Sequence, residues 1–166
     1  MATLIDKTYF ATGPCCIPNS NETGIAAAAI ASEIQGYIDT YEDEFLRGLL
    51  GDTLYEYLVA HPSEGRIVAL IAQLRNETTK QSPIANYVWF KYQQQKQIIV
   101  TNGGDKQTSQ SELLPASNYA LAAGVWNSMV IKNWYIYEWL QANIATYPEW
   151  TVENEYLFEK VNIMDL

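Results

Sequence analysis

Apolar residues recur every three or four positions through much of the first third of the chain. This spacing places side chains on one face of an α-helix, whereas apolar residues at every second position would favour a strand. Gly51 follows the last of these positions and is expected to end the helix, because glycine is common just beyond a helix C-terminus. The pattern predicts a long amphipathic first helix. Its apolar positions are Ile30, Ile34, Ile38, Tyr41, Phe45 and Leu49.

The same pattern predicts two shorter helices after Gly51. Asp52 is expected to be the N-cap of a second helix that ends at His61-Pro62. The apolar positions of this helix are Leu54, Tyr55, Leu58 and Val59. A third helix is predicted over Arg66–Arg75. Its inward positions are Ile67, Leu70, Ile71 and Leu74.

Two proline-marked starts predict a fourth and a fifth helix. Ser82 followed by Pro83 is typical of an N-cap and a first helical residue, although the following Tyr87-Val88-Trp89-Phe90 also suits a strand. Pro115 predicts the start of a helix that runs to about Ala145. We expect this helix to be covered by the other helices or by a neighbouring subunit, because its apolar residues point in more than one direction. They are Leu121, Trp126, Met129, Trp134, Tyr137, Leu140 and Ile144.

The segment between the fourth and fifth helices predicts a β-hairpin arm over residues 97–111. An apolar run precedes Gly103-Gly104 and a polar run follows, and glycines suit a tight turn. A phosphate-binding loop is disfavoured because no Gly-Lys-Ser/Thr sequence leads into a helix. The alternatives are a mobile surface loop and an edge that pairs with another chain. The candidate interface residues are Ile98, Ile99, Val100, Thr101, Asn102, Gly103, Gly104, Asp105, Lys106, Gln107 and Thr108.

Both ends of the chain lack a convincing period. Residues 1–23 are predicted to form an extended or irregular arm, broken by Gly13-Pro14 and Pro18-Asn19. Its apolar positions are Leu4, Ile5, Tyr9 and Phe10. Residues 149–166 are predicted to form a docking tail. The candidate interface residues of this tail are Tyr156, Phe158, Val161 and Ile163.

These elements predict one mainly α domain over residues 1–166, a bundle of about five helices with an inserted β-hairpin arm and extended termini. A chain of 166 residues is long enough to bury a core without disulfides or metals. The predicted core residues are Ile34, Ile38, Phe45, Leu49, Leu70, Trp126, Met129 and Leu140.

Composition narrows the classes of function. The chain has 10 Lys+Arg and 19 Asp+Glu, a net charge of -9, which argues against a broad surface for nucleic-acid phosphates. Its 5 Trp and 12 Tyr are typical of protein interfaces. The sequence predicts no secretory signal and no membrane span, since its apolar runs are far shorter than about 20 residues. The adjacent Cys15 and Cys16 are interpreted as reduced thiols of a cytosolic product.

Residues that could perform chemistry are few. His61 is the single histidine and lies at a predicted turn, and no G-x-S-x-G sequence supplies a nucleophile. The acidic cluster Asp39, Glu42, Asp43 and Glu44 could bind a hard cation, but a solvated helix face is favoured because no coordinating loop completes it. We therefore expect no enzyme activity, cofactor or metal. The alternative is a metal protein or small-ligand enzyme that uses Asp39, Asp43 and His61.

Several segments resemble one protein family in their order along the chain. The segment Tyr37–Tyr55 is followed by Tyr87–Phe90, by Asn102–Gly104, and by Trp126–Val130 on a helix that ends near Tyr147-Pro148. In this order the chain resembles the head-tail connector (adaptor) proteins of tailed bacteriophages, especially those of gut Bacteroidetes phages. The similarity covers roughly residues 30–148.

The resemblance implies a structural virion protein at the capsid-tail junction, made in the host bacterial cytoplasm. Such a subunit assembles into a homo-oligomeric ring, dodecameric by this resemblance, between the portal protein and the next tail or ring protein. DNA passes through the ring without sequence-specific binding, and no membrane is involved. The alternatives are another minor virion or tail-completion protein, and a non-viral helical module that binds proteins as a monomer or dimer.

Overall fold

The chain folds into a helical bundle. The computed structural model describes residues 3–20, 22–96, 100–101, 104–105, 116–151 and 158–161. Within these ranges a short 3-10 helix, Lys7–Phe10, precedes five α-helices. These are α1 Ile25–Leu50, α2 Asp52–Ala60, α3 Gly65–Leu74, α4 Pro83–Lys96 and α5 Ala116–Ala142. The predicted mainly α fold is confirmed, and none of the described helices has the length and apolarity that crossing a bilayer requires.

A single glycine joins α1 to α2. Gly51 is both the C-cap of α1 and the N-cap of α2, and its φ of 77° lies in the region that glycine adopts at least cost. The Gly51 N–H donates to the carbonyl oxygen of Arg47 at 2.9 Å. The prediction that Asp52 caps α2 was wrong, because the turn is completed at Gly51 and Asp52 is already helical. The Asp52 carboxylate instead accepts a hydrogen bond from Arg47 Nη1 at 2.7 Å.

Ser82 links the end of α3 to the start of α4. Its hydroxyl donates to the Leu74 carbonyl oxygen at 2.8 Å and accepts from the Ile84 N–H at 3.1 Å. The predicted N-cap is confirmed, with Pro83 as the first helical residue. The third helix begins and ends one residue earlier than predicted, because the backbone of Arg75 is extended and its N–H closes the last turn at Ile71.

Helix α4 lies at the centre of the bundle, in contact with both α1 and α5. Every residue from Pro83 to Trp89 is buried. The Tyr87 ring lies 5.4 Å from the ring of Phe45 on α1 and 6.2 Å from that of Trp126 on α5. The first half of α4 is covered on all sides and has no polar face, so its sequence lacks the helical period and also suits a buried strand.

Most of the predicted core is confirmed. The buried members are Ile34, Ile38, Phe45, Leu70, Met129 and Leu140. Leu49 and Trp126 are only partly buried and pack at the edge of the core. On α1 the buried side continues through Leu46 and Leu50 instead of Leu49. Positions three and four residues apart shift gradually around a straight helix, because the helical repeat is 3.6 residues.

The N-terminal segment is not the extended arm that its sequence predicts. Residues 3–20 are irregular apart from the 3-10 helix, but their apolar side chains belong to the main core. The Phe10 carbonyl oxygen accepts from the Ile17 N–H and from the Ser20 hydroxyl, each at 2.9 Å. Turns closed by such bonds fold the segment onto α1 and α4 instead of projecting it.

The predicted hairpin arm is not supported. The described part of this region contains two short strands, β1 Val100–Thr101 and β2 Gly104–Asp105, with Val100 opposite Asp105 and Thr101 opposite Gly104. Two residue pairs are shorter than an ordinary strand and add no sheet to the fold. The remaining candidates lie outside the described residues. They are Ile98, Ile99, Asn102, Gly103, Lys106, Gln107 and Thr108.

Helix α5 ends at Ala142, earlier than predicted, and the chain then turns back onto α3. The Asn143 side-chain amide donates to the Trp139 carbonyl oxygen at 2.8 Å, which competes with continuation of the helix. The Tyr147 hydroxyl donates to the Arg66 carbonyl oxygen at 2.6 Å. The Arg66 guanidinium in turn donates to both carboxylate oxygens of Glu149, at 2.8 and 2.9 Å. These bonds fix the segment after α5 against the start of α3.

Candidate protein interface

The outer face of α5 carries large apolar side chains in contact with solvent. Ile131 is 41% exposed, Trp134 53% and Tyr135 64%. Leu121, two to three turns earlier, is also exposed. Large apolar residues that are exposed elsewhere in the described ranges are Ile25, Val68 and Ile144. An apolar cluster of this kind on one helix is typical of a surface that binds another molecule.

The opposite side of α5 forms part of the core. Val125, Met129, Ile136 and Leu140 are buried there, and α5 packs mainly against α4. Apolar side chains therefore lie on both the buried and the exposed side of α5, and its sequence shows no single apolar face. The prediction that α5 is apolar on more than one side is confirmed. The other helices cover the inner side and leave the outer face open.

The C-terminal tail occupies a third side of α5. The Phe158 ring lies 5.3 Å from the ring of Phe45, 5.7 Å from that of Tyr87 and 6.1 Å from that of Trp126. Edge-on and tilted arrangements of this kind stabilise aromatic clusters. A single phenylalanine therefore anchors the tail between α1, α4 and α5.

Main-chain bonds hold the tail beyond this anchor. The Trp126 indole N–H donates to the Glu159 carbonyl oxygen at 2.7 Å. The Asn127 side-chain amide donates to the Val161 carbonyl oxygen at 3.0 Å, and its oxygen accepts from the Val161 N–H at 2.9 Å. The predicted tail residues Phe158 and Val161 thus meet the domain's own helix, while Tyr156 and Ile163 lie outside the described residues.

Glu42 is a buried carboxylate that sequence reasoning placed on a solvated face. It is 6% exposed and accepts from the N–H groups of Leu4 at 2.7 Å and Ile5 at 3.2 Å. Burial raises the pKa of Glu42 to about 7, against the opposing effect of these hydrogen bonds. The signal that could have found it is its spacing, because Glu42 lies one turn from the buried Ile38 and Leu46.

Two other acidic residues of α1, Asp39 and Asp43, have partners on α1 and α2. Asp39 is exposed and accepts from Gln35 Nε2 at 2.8 Å. Asp43 accepts from Arg47 Nε at 3.0 Å and from the Tyr55 hydroxyl. The prediction of a solvated face with mild self-repulsion is therefore confirmed for the exposed Asp39 and wrong for Glu42, which is buried, and for Asp43, which is paired with Arg47.

The alternative metal site also contains His61, which is exposed just after α2 and stacks on the Tyr57 ring at 4.2 Å. Within the part of the chain that the structure describes, no group of three or more His, Cys, Asp or Glu residues is arranged to hold a metal ion.

The fold and this surface define a mainly α-helical bundle with an exposed apolar helix face. Comparisons of the chain with protein-family models, with curated proteins and with solved structures find no match.

Proposed function

We propose that the protein is a structural virion subunit that forms a ring between the capsid portal and the tail of a bacteriophage. The observation that supports this proposal best is the outer face of α5, where Ile131, Trp134 and Tyr135 remain in contact with solvent. Covering such side chains stabilises an assembly by about 25 cal/mol for each Å² of apolar surface removed from water. A neighbouring subunit is the partner that every copy in a ring has available.

A ring requires two different surfaces on each subunit, because head-to-tail contacts close only when one patch binds another. The outer face of α5 is one of these surfaces. We place the second at the region of β1 and β2, where a strand from a neighbouring subunit would extend the two residue pairs. The ring size, the portal contact and the partner below follow from the family resemblance alone.

The charge of the chain fits a channel for DNA. A net charge of -9 repels phosphates, so the lumen of a ring would let the duplex pass without gripping it. This role requires no catalytic centre and no sequence-specific contact. It also agrees with the arrangement of Asp39, Asp43 and His61, which have local structural contacts.

Particle mass tests the proposal. The wild-type protein is expected to form a ring, alone or on addition of its portal, as seen by mass photometry and electron microscopy. Replacing Trp134 and Tyr135 together by serine should prevent assembly and leave the melting temperature nearly unchanged, since both side chains are more than half exposed. Val68→Ser is the matched control, because Val68 is 52% exposed on α3.

Two results would count against the ring. A wild-type protein that stays monomeric or dimeric with and without portal would favour the helical binding module. A double variant that assembles normally would remove α5 from the interface. Proline at Val100 tests the second surface separately, because it removes a backbone donor from β1 and should weaken assembly more than folding.

A further inference from the structure

A cavity of about 410 Å³ lies between the N-terminal segment, the turn before α4 and one side of α5. Its apolar wall includes Pro14, Ala85, Leu121 and Val125. Cavities that hold small molecules are of this size and combine apolar walls with a few polar groups. The polar groups therefore indicate which ligand this cavity suits.

The charged residues of the cavity are all cationic. Two lysines, Lys80 and Lys132, line it, and no Asp or Glu does so among the described residues. This is unusual for a chain with 19 acidic and 10 basic residues. Lys80 already donates to Glu77 at 2.8 Å, at the exposed end of the turn. Lys132 has no ion pair with any residue that the structure describes.

Apart from Lys80, the groups that the structure describes around Lys132 are neutral. The buried Cys15 thiol lies nearby and donates to Asn86 Oδ1 at 3.4 Å, while Asn86 Nδ2 donates to the Val125 carbonyl oxygen at 3.0 Å. Burial raises the pKa of the Cys15 thiol to about 12, so this group stays neutral. Burial also lowers the pKa of Lys132. A partly desolvated ammonium without a counter-ion is costly, and an anion in the cavity would offset that cost.

We propose that this cavity binds a small carboxylate with an apolar body, such as a medium-chain fatty acid. The carboxylate pairs with Lys132 and the hydrocarbon chain lies against Leu121 and Val125. This ligand site does not depend on the proposed ring, because its walls come from one copy of the chain and include none of Ile131, Trp134 and Tyr135. A charge-assisted bond in a partly apolar site is stronger than a surface ion pair. We therefore expect the Lys132 ammonium to contribute much of the binding free energy.

Octanoate is a suitable probe, and octanamide is its uncharged counterpart of equal length. Isothermal titration of the full-length protein should show that octanoate binds about ten- to one-hundred-fold more tightly than octanamide, the ratio expected for one charge-assisted bond. Lys132→Met removes the charge and keeps the length of the side chain. In this variant the two probes should bind with affinities that differ by less than about threefold, since no charge-assisted bond remains.

Gly124 provides a second test that leaves the charge in place. It lines the cavity, and a Cβ added to it would meet no atom within 4 Å. Gly124→Leu should therefore fold normally and block octanoate by occupying the space of its chain. Lys80→Met is the control for general charge, and it should keep most of the preference for octanoate because Lys80 is already paired with Glu77.

The outcomes separate clearly. Absence of octanoate binding at millimolar concentration, or equal binding of octanoate and octanamide to the wild type, would overturn the proposal. So would unchanged binding in both Lys132→Met and Gly124→Leu. If Lys132→Met does not fold, the ratio of the two probes on the wild type and on Lys132→Arg, which keeps the charge, decides the question. Ring formation is measured separately, so its failure leaves these results interpretable.

Discussion

The two segments that flank the helices, residues 3–20 and 158–161, are attached to the bundle in different ways. The first contributes fully buried side chains, with Ile5 2% and Phe10 0% exposed. The second contributes one half-buried ring, Phe158, and main-chain bonds to Trp126 and Asn127. The N-terminal segment is thus part of the core, whereas the tail packs against the outside of it.

The two segments also differ in how their backbone groups are satisfied. A buried carboxylate, Glu42, receives the N–H groups of Leu4 and Ile5, and Arg75 donates to the Leu4 carbonyl oxygen. The tail instead meets a neutral amide at Asn127. Burial makes the folded protein favour the protonated form of Glu42, whereas the Asn127 amide does not titrate. The comparison therefore predicts unequal stability and unequal dependence on pH.

Loss of an aromatic side chain from the N-terminal segment should have the largest effect. Phe10→Ala leaves a cavity in the main core and should lower the free energy of unfolding by about 3 to 5 kcal/mol. Urea denaturation followed by circular dichroism measures the change. A loss below about 1 kcal/mol would mean that the segment is peripheral, like the tail.

The Glu42 carboxylate should make stability depend on pH. Its folded pKa of about 7 exceeds the usual 4.5, so the folded protein holds a proton that the unfolded chain releases. The resulting stability is fully present below pH 4.5 and is lost as pH rises through 7, by on the order of 3 kcal/mol. Glu42→Gln should flatten the curve in that window.

The acidic side of the same curve provides a control. Hydrogen bonds from Tyr55 and Tyr87 hold the pKa values of Asp43 and Glu44 below their usual range. Their stabilisation is present above the unfolded pKa and is lost as pH falls, so it is confined to more acidic solution. Thermal unfolding of wild type and Glu42→Gln at a series of pH values separates the two effects. Identical slopes between pH 4.5 and 7 would contradict the assignment to Glu42.

Loss of the tail anchor should cost less. Phe158→Ala should lower the free energy of unfolding by about 1 to 2 kcal/mol, because the ring is only half buried. Asn127→Ala removes both bonds to Val161 and should cost about 1 kcal/mol. The double variant should cost less than the sum, since the two residues hold one segment. A Phe158→Ala loss equal to that of Phe10→Ala would abolish the distinction between the segments.

Substitutions on the solvent side of α1 should have the smallest effects. Asp39→Asn should change stability by less than about 0.5 kcal/mol, because its exposed carboxylate has one neutral partner, Gln35. Asp43→Asn is the sharper test on the same helix and should cost about 1 kcal/mol by weakening the bonds from Arg47 and Tyr55. Equal effects would show that the contacts of Asp43 contribute nothing.

The parts of the fold that the sequence predicts well are those with a strong local cause. Gly51 and Ser82-Pro83 mark helix ends through backbone conformation and capping, and both are found where expected. The stripe on α1 also locates the buried side of that helix. In each case the relevant partners lie within a few residues along the chain.

The parts that the sequence does not predict depend on distant partners. The sequence around Leu4 predicts a free arm, but the Leu4 N–H donates to the carboxylate of Glu42, 38 residues away. Glu42 looks like a surface acid until that arm covers it. The sequence predicts the candidate interface only in part. The apolar residues of α5 indicate that this helix has a second contact surface, but they do not indicate which side of it is exposed to solvent.

The bonds between Arg66 and Glu149 bear on the rates of folding. They join residues 83 positions apart, so a long loop must close before they can form. We expect them to be absent from the transition state, where local contacts within the helices and between neighbouring helices come first. Arg66→Met should then leave the refolding rate nearly unchanged and accelerate unfolding. In stopped-flow experiments only the unfolding arm of the chevron should move, so this contact would set how long the folded protein persists.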